Sequence, residues 1–152
     1  MSVPIRVYLD TSVISAYFDS RDPVRQELTQ RCWEQLSEYE PTISELVLEE
    51  IRATRDEDRR EKMLALTTPL SLLPWQATMA ALVDAYLGAG AFTPALYADA
   101  RHVATAVVSG VPILLSWNFR HLVNRTRRIR VNLVNSQEGY GQIEIIAPPE
   151  LE

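Results

Sequence analysis

The segment PILLS, residues 112–116, constrains the fold more than any other part of the chain. A short apolar run without polar alternation suits a strand covered on both faces, the kind found in parallel sheets. Residues 5–9, IRVYL, read as a second short strand rich in β-branched residues. Helix-starting residues Asp10, Thr11 and Ser12 follow the first strand, and Asn118 stands just after the second. Strands separated by helices predict an α/β domain with a mostly parallel central sheet flanked by helices. Ligands of such sheets bind outside the carboxyl ends of the strands, where Asp10 and Asn118 stand.

The remaining pattern fills in this layer architecture. Helices are expected over residues 24–39, stopped by Pro41, and from Ser44 as cap through LVLEEIRA. Two more are expected over residues 76–87, closed by Gly88 and Gly90, and from Thr93-Pro94 to Gly110. Residues 42–43, 69–73, 129–134 and 143–146 read as further strands. With no repeat or linker-like tract, one domain over residues 1–152 is expected. A hydrophobic fraction of 47% and a charged fraction of 23% exclude the disordered and collagen-like classes. Apolar runs are too short to span a bilayer, and the start lacks the pattern of a secretory signal. Cys32 stands alone, so an internal disulfide and a cysteine zinc cluster are both excluded. A cytoplasmic protein without membrane attachment is the expectation.

Charge is divided unevenly. The net charge is −5, yet residues 100–137 hold six arginines and no Asp or Glu, so that stretch carries +6 and the remainder −11. Carboxylates holding a cation beside arginines holding phosphate would give this division, as would a solvated basic loop on an ordinary α/β protein.

Three acids stand out. Asp10 ends a buried strand, and although an Asp there commonly caps a helix, Thr11 and Ser12 can do that instead. On a helical wheel Glu50 shares a face with Ile43, Leu46, Val47 and Ile51, whereas Glu45 and Glu49 point to the opposite, solvent side. A carboxylate on an apolar face must be paired, protonated or cation-bound. Asp99 lies at the edge of the apolar face of a helix made of small residues, with Arg101 pointing away and His102 beside it as a hydrogen-bonded packing residue. Asp10, Glu50 and Asp99 are hard oxygen ligands suited to Mg²⁺ or Mn²⁺, a choice that serves phosphodiester hydrolysis. Arg120, Arg125, Arg127, Arg128 and Arg130 are the candidate phosphate contacts; a solvated loop leading into a strand explains them equally well. His121 and Trp117 are candidates to meet a base, with packing the stronger reading for Trp117, and Tyr8, Trp33 and Trp75 read as core or dimer residues.

YLDTSVIS, ISELVLEEI and DARHVATAVVSGVPILLSWNFRHLVN, in this order and spacing, resemble the PIN-domain ribonucleases, close to the VapC-type toxins of toxin–antitoxin pairs; GYGQIEIIAPPEL resembles the tail of one subgroup. The resemblance implies a single PIN-like α/β domain, a Mg²⁺ or Mn²⁺ site, hydrolysis of RNA, a homodimer and a small antitoxin partner. It carries metal-binding roles to Asp10, Glu50 and Asp99; the register also allows Glu49 for the second acid, against the helix-face argument. Many PIN nucleases have a further Asp where this chain has Asn118, an amide that would hold a second metal more weakly. Asn118 could still ligate, orient water or hydrogen-bond Asp10 or Asp99, and it joins the candidate catalytic residues.

Two other readings compete. A PIN module that binds RNA or protein without cutting is compatible with Asn118. A haloacid-dehalogenase-type phosphatase also begins with an Asp after its first strand, but it needs a second Asp where this chain has Ser12, and Lys62 is the only lysine.

Overall fold

The computed structural model describes residues 3–151. The elements run β1 (Arg6–Leu9), α1 (Thr11–Tyr17), α2 (Pro23–Gln35), β2 (Glu40–Ser44), α3 (Glu45–Arg52), α4 (Glu57–Thr67), β3 (Ser71–Leu73), α5 (Ala77–Gly88), α6 (Tyr97–Val108), β4 (Ile113–Leu115), α7 (Arg125–Gln137) and β5 (Glu144–Ile146). The five strands form one parallel sheet in the order β3-β2-β1-β4-β5, with helices around it. Among the described residues no helix is long and apolar enough to cross a membrane.

The apolar strands are buried as their composition requires: Val7, Leu9, Leu114, Leu115 and Ile145 have no solvent exposure. Each such side chain is worth about 1.5–3 kcal/mol when removed from water. The chain leaves β1 toward β2 on one side and later returns to place β4 on the other. That reversal opens a crevice beyond the carboxyl ends of β1 and β4. The backbone N–H of Asp10 donates to the Leu115 carbonyl at 3.0 Å, fastening the two strand ends together there.

Two expectations about local structure are corrected. Residues 129–134 are not a strand but lie inside α7. Ile129, Val131 and Leu133 alternate, but the buried residues are Val131, Val134 and Asn135, at helical spacing, while Ile129 and Leu133 face solvent. Asn124 starts that helix by accepting from the backbone N–H of Arg127 at 2.8 Å. The helix expected to 39 ends at Gln35, a 3₁₀ turn follows at Leu36–Glu38, and Pro41 lies within β2. Pro41 is tolerated because the N–H of Glu40 points at β1, donating to the Ile5 carbonyl, so the nitrogen of Pro41 faces away from β1. On that side the pairing with β3 begins only at Thr42. The segment after LVLEEIRA is a separate helix, α4, capped by the Asp56 side chain accepting from Arg59 N–H at 3.2 Å.

Candidate metal centre

Asp10 occupies the N-cap position of α1, yet its side chain makes no capping bond. Its Oδ2 instead accepts from the hydroxyls of Ser12 at 2.7 Å and Ser116 at 2.8 Å. Ser116 follows β4, so the carboxylate is held across the strand switch by groups from both sides. Asp10 is only 6% exposed. Ser44 likewise stands at the N-cap of α3 without capping it; its hydroxyl is bonded to the Tyr8 phenol at 2.8 Å.

Glu50 is the acid that α3 turns inward. Its Oε1 accepts from Thr11 Oγ1 and meets His102 Nε2, both at 2.6 Å, while Glu45 and Glu49 are exposed. His102, on α6, is 1% exposed, with Nε2 also 3.5 Å from Asp10 Oδ1 and Nδ1 2.6 Å from the Tyr8 phenol. Asp10, Glu50 and His102 thus offer ligand atoms within 4.8 Å of one another. Each carboxylate has one oxygen fixed by hydroxyls and a second that no hydroxyl engages.

The charges in this group lean on one another. Burial pulls the His102 pKa down, but the Glu50 hydrogen bond and the charges of Asp10, Glu50 and Asp99 outweigh it and leave the pKa raised. Burial pushes Glu50 up, and His102, Thr11 and Arg101 more than reverse that, leaving it lowered. Each partner therefore favours the charged form of the other. Asp99 is half-buried, and its pKa is raised by burial and by the negative charge of Asp10, partly opposed by His102 and His121. It feels the cluster without joining its ring of hydrogen bonds. A site with clustered carboxylate oxygens suits a hard divalent cation.

Asn118 is arranged differently. Its Oδ1 accepts from the backbone N–H of His121 at 2.9 Å, closing the loop after β4. Its own N–H donates to Ser116 Oγ at 3.0 Å, so it reaches Asp10 through that serine. The arginines also divide. Arg127 donates to the carbonyls of His121, at 2.6 Å, and Ala91, and lies 4.4 Å from the Phe92 ring centre. Arg128 donates to the Ile145 carbonyl at 3.2 Å. Arg120, Arg125 and Arg130 are exposed. Trp117 packs, donating from Nε1 to Thr29 at 2.9 Å, whereas Trp75 is 57% exposed rather than core.

Sequence reasoning passed over His102 as a partner of the acids, together with the hydroxyls of Thr11, Ser12 and Ser116. The available signal was spacing: His102 lies one helical turn after Asp99 among small residues, and Tyr8 sits two residues before Asp10.

Residues 7–123 match the PIN domain family, and the chain belongs to that family. The fold is similar to the crystal structure of VapBC2 from Rickettsia felis bound to a DNA fragment from their promoter. That match has 12% identity and a TM-score of 0.64, and it covers 94% of this chain and 98% of that one. No curated protein sequence matches the chain.

Proposed function

We propose that this chain, working as one domain over residues 1–152, is a metal-dependent endoribonuclease that hydrolyses RNA phosphodiester bonds, and is the toxin of a toxin–antitoxin pair. The observation that carries this reading is the pair of carboxylates, Asp10 at the strand switch and Glu50 on α3, each with one oxygen fixed by a hydroxyl and a second that no hydroxyl engages. Asp10, Glu50 and Asp99 would hold Mg²⁺ or Mn²⁺. When bound, the ion supplies an acidified water and neutralises charge at the phosphate.

The chain's own groups do the rest. Ser12 and Ser116 aim Asp10, Thr11 and His102 aim Glu50, and Tyr8 locks the His102 ring. Asn118 fixes the loop that carries Ser116. Arg120, Arg125 and Arg130 are free to bind the RNA backbone, while Arg127 and Arg128 hold the scaffold that presents them. An antitoxin partner, a homodimer and a cytoplasmic setting belong to this reading; Cys32, a buried thiol pushed up to about 12, is compatible with a reducing compartment.

The test is cleavage of a mixed RNA pool by the purified chain with Mg²⁺, with EDTA, and by Asp10→Asn. Cleavage that needs the metal and is lost in the folded variant supports the reading. RNA that is bound but never cut would instead assign a non-catalytic binding module.

A further inference from the structure

Beside the acidic centre lies a second feature that neither metal binding nor the arginine strip uses. A cavity of about 170 Å³ is walled by Ser44, Leu73, Trp75, Met79, Arg101 and Thr105. Its aromatic wall is unusually open for so large a side chain, Trp75 being 57% exposed. The Arg101 guanidinium stands 5.9 Å from the Trp75 ring centre and 5.8 Å from that of Tyr97, itself 49% exposed. The half-exposed Trp75 ring, with the Arg101 guanidinium beside it in the cavity wall, makes a stacking platform for flat, π-rich groups. The cavity is well below the ~300–1,000 Å³ of sites for drug-sized ligands, so it admits one ring system rather than a whole nucleotide.

The rim decides which end of a nucleotide enters. Glu45 and Glu49 border the cavity, and these carboxylates repel phosphate. Glu45 is already paired with Arg52 at 2.9 Å, which leaves Glu49 as an acceptor for base N–H groups. The cavity is also linked to the metal centre, because its Ser44 wall is bonded to Tyr8, which is bonded to His102. We propose that this cavity is a nucleobase subsite, in which one unpaired RNA base stacks on Trp75 beside Arg101 while the backbone runs past the acidic centre. The proposal rests on the ribonuclease reading and names where that enzyme reads its substrate.

The test measures binding of a short fluorescent single-stranded RNA by anisotropy in Ca²⁺, beside the same strand with abasic riboses. Parent, Trp75→Ala and Trp75→Phe are compared, with calorimetric Mn²⁺ affinity as a separate readout. The expected result is a roughly tenfold or larger loss for Trp75→Ala, as for removal of a stacking partner. Trp75→Phe should keep affinity to within about threefold, since a phenyl face still stacks. Mn²⁺ affinity should stay the same, and the abasic strand should bind parent and Trp75→Ala equally weakly. Equal RNA affinity in parent and Trp75→Ala overturns the subsite while leaving the nuclease reading intact. So does a Trp75→Ala variant that binds RNA normally but loses a protein partner. A parent that binds neither strand overturns both readings.

Discussion

In the acidic centre, Asp10 and His102 are almost wholly withdrawn from water and held by short bonds, Asp10 to the Ser12 hydroxyl and His102 to Glu50. On α7, Arg125 and Arg130 stand in solvent while Arg127 and Arg128 are committed to backbone carbonyls. The centre lies within residues 7–123, the segment that matches the PIN domain family, and α7 lies beyond it. Formal charge read from a sequence is therefore not the same as charge available to a ligand. Burial concentrates the acids into one site, whereas two of the α7 arginines serve as mortar between loop, strand and helix.

The largest effect that would break this contrast is expected at Glu50. Glu50→Gln should reduce Mn²⁺ affinity and RNA cleavage by more than the ~10–100-fold typical of residues behind a metal's ligands. Glu45→Gln, five residues away on the exposed side of α3, should leave Mn²⁺ affinity unchanged. Calorimetry with Mn²⁺ and a cleavage assay on both variants decide it, and equal losses would mean that burial does not separate the two acids.

His102→Gln probes the same centre through stability. Removing one partner of a fully buried ion pair costs about 3–5 kcal/mol; the Glu50 side chain is still 35% exposed, so about 1–3 kcal/mol is expected here. The pH dependence in EDTA has two limbs. The raised His102 pKa gives stability that is complete below its unfolded value near 6.5 and is lost as pH climbs through the raised value. The lowered Glu50 pKa gives stability that is present above its unfolded value near 4.5 and is lost as pH falls through the lowered value. The pair should therefore contribute most between about pH 4.5 and 6.5. Thermal melts of parent and His102→Gln across this range should differ most there and converge on the alkaline side.

The arginines sharpen the other half of the comparison. Arg127→Ala should lower stability by about 1–3 kcal/mol, through lost charged hydrogen bonds and lost packing on Phe92. Arg125→Ala and Arg130→Ala should leave the melting temperature unchanged and each reduce the salt slope of RNA binding by about 1. An Arg127→Ala protein as stable as the parent would return that residue to the phosphate-binding surface.

The smallest effect is expected at Asn118. Asn118→Ala removes the acceptor for His121 N–H and should cost about 1 kcal/mol, the usual net worth of one such hydrogen bond. Asn118→Asp keeps that acceptor, so its stability should match the parent and its Mn²⁺ affinity should change by less than about threefold. A large gain in Mn²⁺ affinity would show that position 118 reaches the ion directly.

Legibility from sequence differed by region for physical reasons. The strand at 112–116 was readable because a sheet covered on both faces demands apolar runs, and that at 143–146 because buried Ile143 and Ile145 alternate with exposed Glu144 on an edge strand. The inward turn of Glu50 was readable because a helix has a fixed period. Residues 129–134 misled because alternating apolar residues fit a strand as well as a helix whose other side is wet. His102 was passed over because its partners, Tyr8 and Glu50, are 94 and 52 residues away along the chain.

The amino-acid sequence by itself determined the α/β layering, the strand-end position of Asp10 and the face that Glu50 presents, since these follow from local periodicity and from the cost of burying charge. The tertiary structure alone decided that His102 sits between the acids, that Ser116 reaches across from β4 to hold Asp10, and that Arg127 faces the loop rather than solvent. Those outcomes depend on which strands become neighbours, and contacts between distant segments are set by packing of the whole sheet, which no local pattern encodes.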